Sequence, residues 1–135
     1  MALKATATWK GGYEAHVAVR GHELTIDEPE DSGGHDAGMM PTEALCSALA
    51  SCFCLAVAHV ARRDGIALGD LQVEVDAERA GSELRYGRMT VTVTAPGVGE
   101  EAAEQLLVRA RRVCWVSNIL AEPPELEYRS HLEVP

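Results

Sequence analysis

Four cysteines carry the reactive chemistry available to this 135-residue chain, and three of them fall in one stretch, PTEALCSALASCFCLAVAHVAR, from Pro41 to Arg62. The fourth, Cys114, opens the short segment Cys114-Trp115-Val116-Ser117-Asn118. At about 100° per helical residue, Cys52 shares a face with Leu45, Ala48, Leu49, Leu55, Ala56 and His59. Cys54 points the opposite way and Cys46 lies to one side. A single cysteine is most often a small buried hydrophobe, and that is the reading for Cys46 and Cys54. Zinc is not indicated, because there is no Cys-x-x-Cys and no histidine pair at ligand spacing. Nor do Cys52 and His59 form a nucleophile–base pair: seven helical residues separate them by roughly 10.5 Å along the axis. His59 reads as a core or interface histidine. A redox pair fits better, in which one thiolate attacks and a second thiol resolves the sulfenic acid as a disulfide. Cys114 comes from another part of the chain and meets Cys52 if their helices lie side by side.

The elements that must position these thiols follow from composition. Pro41 suits the first position of a helix, and Glu43 in the first turn favours the positive end of its dipole. From Ala44 to Ala61 there is no Gly, no Pro and no charge. A helix apolar around its whole circumference belongs in a core, and Ala44, Ser47, Ala48, Ala50 and Ser51 let other backbone approach it. Arg62, Arg63 and Gly65 supply its stop. Before it, residues 5–9 and 13–19 read as strands joined at Gly11-Gly12, and Leu24 and Ile26 carry a third strand after Arg20-Gly21. Residues 27–40, DEPEDSGGHDAGMM, form a loop long enough to be functional, placed to cover one end of a site. After the helix, Leu71, Val73, Val75 and Ala77 alternate with polar residues in a fourth strand, and Met89, Val91 and Val93 in a fifth. A second helix from about Glu100 carries the stripe Ala103, Leu106, Leu107, Ala110 and Val113. Leu126, Tyr128, Ser130, Leu132 and Val134 read as a closing strand. The order βββ-α-ββ-α-β is an α+β pattern in a single domain, 1–135, with antiparallel sheets around a buried central helix. One thin sheet cannot cover all sides of such a helix, so a homodimer is expected.

Charge narrows the partners. A formal net charge of −9 and a pI near 4.9 exclude nucleic acid and anionic membrane surfaces, both of which need a basic face. The uncharged run 44–61 is about 18 residues, the lower edge of a membrane span, but its Ala, Ser, Cys and His59 favour a buried helix of a soluble protein. MALKATATWK lacks the apolar core of a signal peptide, so the chain is expected in the cytoplasm, its cysteines as thiols.

Several of these segments resemble one family. Val113-Cys114-Trp115-Val116-Ser117 is similar to the V/A-C-P-x-S segment of the OsmC/Ohr family of organic hydroperoxide reductases. Gly38-Met39-Met40-Pro41-Thr42-Glu43-Ala44-Leu45 through Ala50-Ser51-Cys52 resembles its G-x-x-P-x-E-L…A-x-C helix. Ala7-Thr8-Trp9-Lys10-Gly11-Gly12 resembles its opening Ala-Thr-Trp-x-Gly-Gly, and the final strand agrees. The likeness covers nearly the whole chain in the same element order. It implies an OsmC-like fold, an intertwined homodimer and two sites at the subunit interface. Cys52 is then the peroxidatic thiol that attacks the distal oxygen of ROOH and releases an alcohol. Cys114 resolves it, an external dithiol reduces the disulfide, and no cofactor or metal is needed. Apolar neighbours of Cys52 suit fatty or aryl hydroperoxides.

The family's peroxidases activate the thiolate with an Arg–Glu pair. Their arginine follows the first Gly-Gly or lies in the loop before the helix; here Tyr13 stands in the first place and residues 27–40 contain no Arg. Arg20 is the nearest substitute in sequence. Thr42 rather than an acid directly follows Pro41, and Glu43 takes the carboxylate's role or caps the helix. These departures point to a divergent branch. They keep open two alternatives: a non-peroxidase dimer binding an apolar ligand, with structural or weakly redox-active cysteines, and a thiol-based thioesterase or transferase, which needs a base near Cys52.

Overall fold

Alternation builds the first three strands. In the computed structural model, which describes residues 2–131, β1 (Thr6–Trp9), β2 (Ala15–Val19) and β3 (His22–Ile26) form an antiparallel sheet in the order β1-β2-β3. Trp9 pairs with Ala15, and Ala15 with Ile26. Along β2, Ala15, Val17 and Val19 are half-buried while His16 and Ala18 are exposed, the alternation expected of a sheet with one covered face. Tyr13 belongs to the turn rather than the strand, and Trp9 Nε1 closes that turn by donating to the Gly12 carbonyl at 2.9 Å. Arg20 (φ 51°) and Gly21 (φ 82°) form the two-residue β2–β3 turn, both left-handed as tight hairpins require.

The helix of sequence residues 41–62 is α1 (Pro41–Arg63). Glu43 Oε1 accepts the Met40 N–H at 2.9 Å, the reciprocal half of a capping box. At the other end Gly65 (φ 70°) donates to Arg62 and Ile66 to Ala61, a Schellman stop. By length and composition α1 could cross a membrane. β4 (Gln72–Arg79) and β5 (Tyr86–Thr94) form a second, two-stranded sheet. α2 (Glu100–Val113) follows.

The described order departs from the expected one in two places. The segment opened by Cys114, to which the sequence assigned no element, is from Trp115 onward a third helix, α3 (Trp115–Ala121). The closing strand is absent over residues 126–131, where no strand forms and Tyr128 is 87% exposed; Leu132 and Val134 lie outside the described residues. The described order is therefore βββ-α-ββ-αα. Within the chain α1 is covered on one side only, in keeping with the argument that one thin sheet cannot cover it all round: Leu49, Phe53, Ala56, Val57, Val60 and Ala61 are buried, whereas Leu55 is 70% exposed.

The described residues divide into two compact units, 2–48 with 75–89, and 49–74 with 90–131. The first holds the three-stranded sheet and the loop before α1. The second has a core of the six α1 side chains with Leu106, Ala110 and Cys114.

Candidate active site

The thiol segment at the end of α2 is built around a break. Cys114 has non-helical backbone (φ −82°, ψ 105°) and ends α2 while starting α3. Its carbonyl accepts the Ser117 hydroxyl at 3.2 Å and the Asn118 N–H at 3.1 Å. Asn118 Nδ2 reaches back to the Arg112 carbonyl at 3.2 Å. Ser117 adds a second hydrogen bond to the Cys114 carbonyl, and the Asn118 side chain caps the Arg112 carbonyl at the end of α2. The Cys114 side chain has no exposed surface (0%).

Cys52 belongs to the same unit and is half-buried, as are Cys46 and Cys54. All four cysteines are free. Within that unit no guanidinium or imidazole hydrogen-bonds to Cys52, and no disulfide joins it to Cys114. A cavity of about 920 Å³ in this unit is lined by Phe53, Val91, Leu107, Val108 and Ala121, with Glu104, Arg111, Arg112, Ser117 and Asn118 as its polar members. Phe53 is the neighbour of Cys52 in sequence, and Ser117 and Asn118 are the residues that hold the Cys114 carbonyl. Neither cysteine itself lines it.

Glu43 and Arg20 lie in the first unit. Glu43 is exposed and engaged at the helix start, so capping is the role its geometry displays. Arg20 is exposed at the hairpin turn and makes no ion pair among the described residues.

The polar centre of that first unit is a residue the sequence reading passed over. Asp27 is 1% exposed, at the end of β3. Its Oδ1 accepts the Glu28 N–H at 2.8 Å, and its Oδ2 accepts those of His35 and Ala37 at 3.1 Å each. The Ala37 hydrogen bond foremost, with those from Glu28 and His35 against the cost of burial, holds its carboxyl below the usual carboxylate range. The loop it gathers contains a one-turn 3-10 helix (Glu30–Ser32) and a bridge between Ile26 and Met39. A Cβ on Gly34 would stand 2.0 Å from the Glu28 carbonyl oxygen, and one on Gly38 2.0 Å from that of Thr25. Those glycines, and an acid two residues before a proline, were the legible signals. Among the described residues no cluster of His, Cys, Asp and Glu could hold a metal.

Comparison with known proteins places these features. A family model described as OsmC-like protein matches residues 33–129. An organic hydroperoxide resistance protein OsmC from Legionella pneumophila is similar at 25% identity, over 90% of each chain, with a TM-score of 0.69. An organic hydroperoxide resistance protein from Elizabethkingia anophelis is 26% identical over 91% of this chain and 90% of its own, with a TM-score of 0.70. An OsmC-like protein from Mycoplasma pneumoniae, 18% identical over 91% and 89% of the two chains, shares the fold with a TM-score of 0.77. No curated protein matches.

Proposed function

Because the chain belongs to the OsmC-like protein family, we propose that it is a thiol-dependent peroxidase that reduces organic hydroperoxides to alcohols in defence against oxidative stress. The Cys52 thiolate attacks the distal oxygen of ROOH; the O–O bond breaks, the alkoxide takes a proton and leaves as ROH, and Cys52 becomes a sulfenic acid. The Cys114 thiol then attacks the Cys52 sulfur, expelling water and forming a disulfide. An external dithiol reduces that disulfide in two exchange steps. The observation that carries the reading is the pair of free thiols at the two family positions, both in one compact unit that also holds a cavity lined by Phe53, Leu107 and Val108. Similarity to organic hydroperoxide resistance proteins at 25% and 26% identity supports it.

The working form is a homodimer in the cytoplasm, where thiols stay reduced. The open face of α1 supports the dimer. In it, Arg20 and Glu43 supply the cation and the acid that activate Cys52, which lies too far into the helix for the dipole alone. Limiting cumene hydroperoxide or a fatty-acid hydroperoxide is expected to produce a Cys52–Cys114 disulfide, identified by peptide mass spectrometry, and Cys52→Ser is expected to abolish turnover. Thiols that stay reduced while the peroxide persists would sink the reading.

One observation favours the second reading, a dimer that binds an apolar ligand without peroxidase activity: within its own unit Cys52 has no activating cation. A Cys52 that alkylates no faster than Cys54 would decide for it.

A further inference from the structure

We propose that the C-terminal ends of α1 and α2 together form a binding site for a small-molecule oxyanion, a phosphate or carboxylate. A cavity of about 360 Å³ separates them, with Arg63 and Asp64 on one side and Arg109 and Arg112 on the other. His59 joins the polar lining, and Val60 and Val113 give an apolar floor. All of these residues belong to the second compact unit.

The concentration of positive charge runs against the chain, which has 12 basic residues against 21 acidic ones. Three guanidiniums meet one carboxylate at this cavity, a net +2 before His59 is counted. Asp64 is committed to Arg109. Neither Arg63 nor Arg112 makes an ion pair among the described residues. Complementing the helix dipoles is the bland account of arginines in a last turn. It does not explain why arginines of two helices line one concavity, Arg112 at the wall it shares with the larger cavity. Each helix end carries about half a negative charge, so two ends offset about one unit, less than the lining holds. Two of the carbonyls at the end of α1 are already satisfied, by the N–H groups of Gly65 and Ile66. Positive charge is left over, facing the cavity.

The lining is also held in place. Asp64 fixes the Arg109 guanidinium, and the Asn118 side chain anchors the backbone at Arg112. A guanidinium offers parallel N–H donors that match two oxygens of a phosphate or carboxylate, so two such groups across a small cavity select a polyvalent anion over chloride. Because Arg63 and Arg112 are exposed, binding is weak and falls with salt. The inference concerns binding alone and stands apart from the peroxidase reading.

Isothermal titration of the full chain with inorganic phosphate, at ionic strength held constant with chloride, tests it. One saturable event per chain is expected, and Arg63→Gln and Arg112→Gln should each weaken it about tenfold, the worth of a hydrogen bond to a charged group. Arg88→Gln, on β5, should leave it unchanged. Absence of saturable heat, or equal affinity in all three variants, overturns the site. Backbone amide shifts in the unmodified chain provide a second reading: phosphate should move residues 60–64 and 109–114, and shifts confined elsewhere refute the assignment. A synthetic acidic peptide that saturates the site while phosphate does not would show a protein surface as the ligand, and would also overturn it.

Discussion

The two faces of α1 are made of the same kinds of residue and fare differently. On one, Leu49, Phe53, Ala56, Val57, Val60 and Ala61 are buried. On the other, Leu45, Ala48, Ser51 and Leu55 are exposed, although none is charged. Cys52 and Cys54 stand on the two borders between these faces, about 200° apart around the axis, and both are half-buried. The difference teaches that a helix's polarity records how many surfaces it is suited to cover, while a single chain supplies the cover for only one. An exposed stripe of small and apolar residues beside a filled core supports the dimer proposed above.

If this division is real, the largest effect comes from the filled face. Phe53→Ala removes an aromatic ring that is 4% exposed and enlarges a cavity it already lines. It should cost about 3 kcal/mol of stability, the low end for such truncations because the site is already partly open. Urea unfolding checks this. A loss under about 1 kcal/mol would mean that the two faces do not differ as described.

Leu55→Glu tests the open face. A charge there should weaken self-association at least about a hundredfold, roughly 2.7 kcal/mol, by burying a carboxylate without a partner. Sedimentation velocity is expected to shift the variant to monomer at concentrations where the unmodified chain is a dimer. A Leu55→Glu chain that dimerises normally breaks the assignment of this face to the subunit contact.

How much of this was legible depends on whether a signal was local. Gly65, the Arg62-Arg63 pair and Pro41 marked the ends of α1 to within one residue, because capping chemistry sits in the few residues that perform it. The Gly11-Gly12 and Arg20-Gly21 turn signals placed β2 between them, with only its start shifted, from residue 13 to Ala15. The alternation at residues 126–131 failed because a strand exists only where it pairs with another, and pairing is not written in the strand's own alternation. α3 was passed over because seven residues are too few to show a helical period. Asp27 escaped because burial of a carboxylate depends on N–H groups eight and ten residues away converging on it. Both motif cysteines were read from spacing and family likeness; what lies beside Cys52 is a matter of packing, which spacing does not record.

The Asp27 loop offers a contrast to the open face of α1, since its buried carboxylate is met by the chain's own N–H groups. The folded state holds this carboxyl below its ordinary value, so it favours folding wherever the unfolded carboxyl is ionised. That contribution is fully present above pH about 4 and is lost as pH falls from there through the lower folded value. Asp27→Asn keeps the shape but turns an amine toward the N–H donors. Its thermal midpoint should lie several degrees below that of the unmodified chain at neutral pH, with the gap closing as both are acidified. A gap independent of pH would assign the loss to shape rather than to charge.

The smallest effects belong to the two α1 thiols that the proposed chemistry does not use. Cys46→Ala and Cys54→Ala each remove one sulfur from a half-buried site, so each should change stability by less than about 1 kcal/mol. Because Cys52 and Cys54 flank the same core face with similar burial, the pair is a matched control: only position around the helix and distance from Cys114 distinguish them. Peroxide-dependent disulfide formation should survive Cys54→Ala unchanged and vanish in Cys52→Ala, read as the mass of the peptide linked to Cys114. If Cys54→Ala abolishes the disulfide instead, the attacking thiol lies on the opposite border, and the assignment carried by the family motif is wrong by two residues and half a turn.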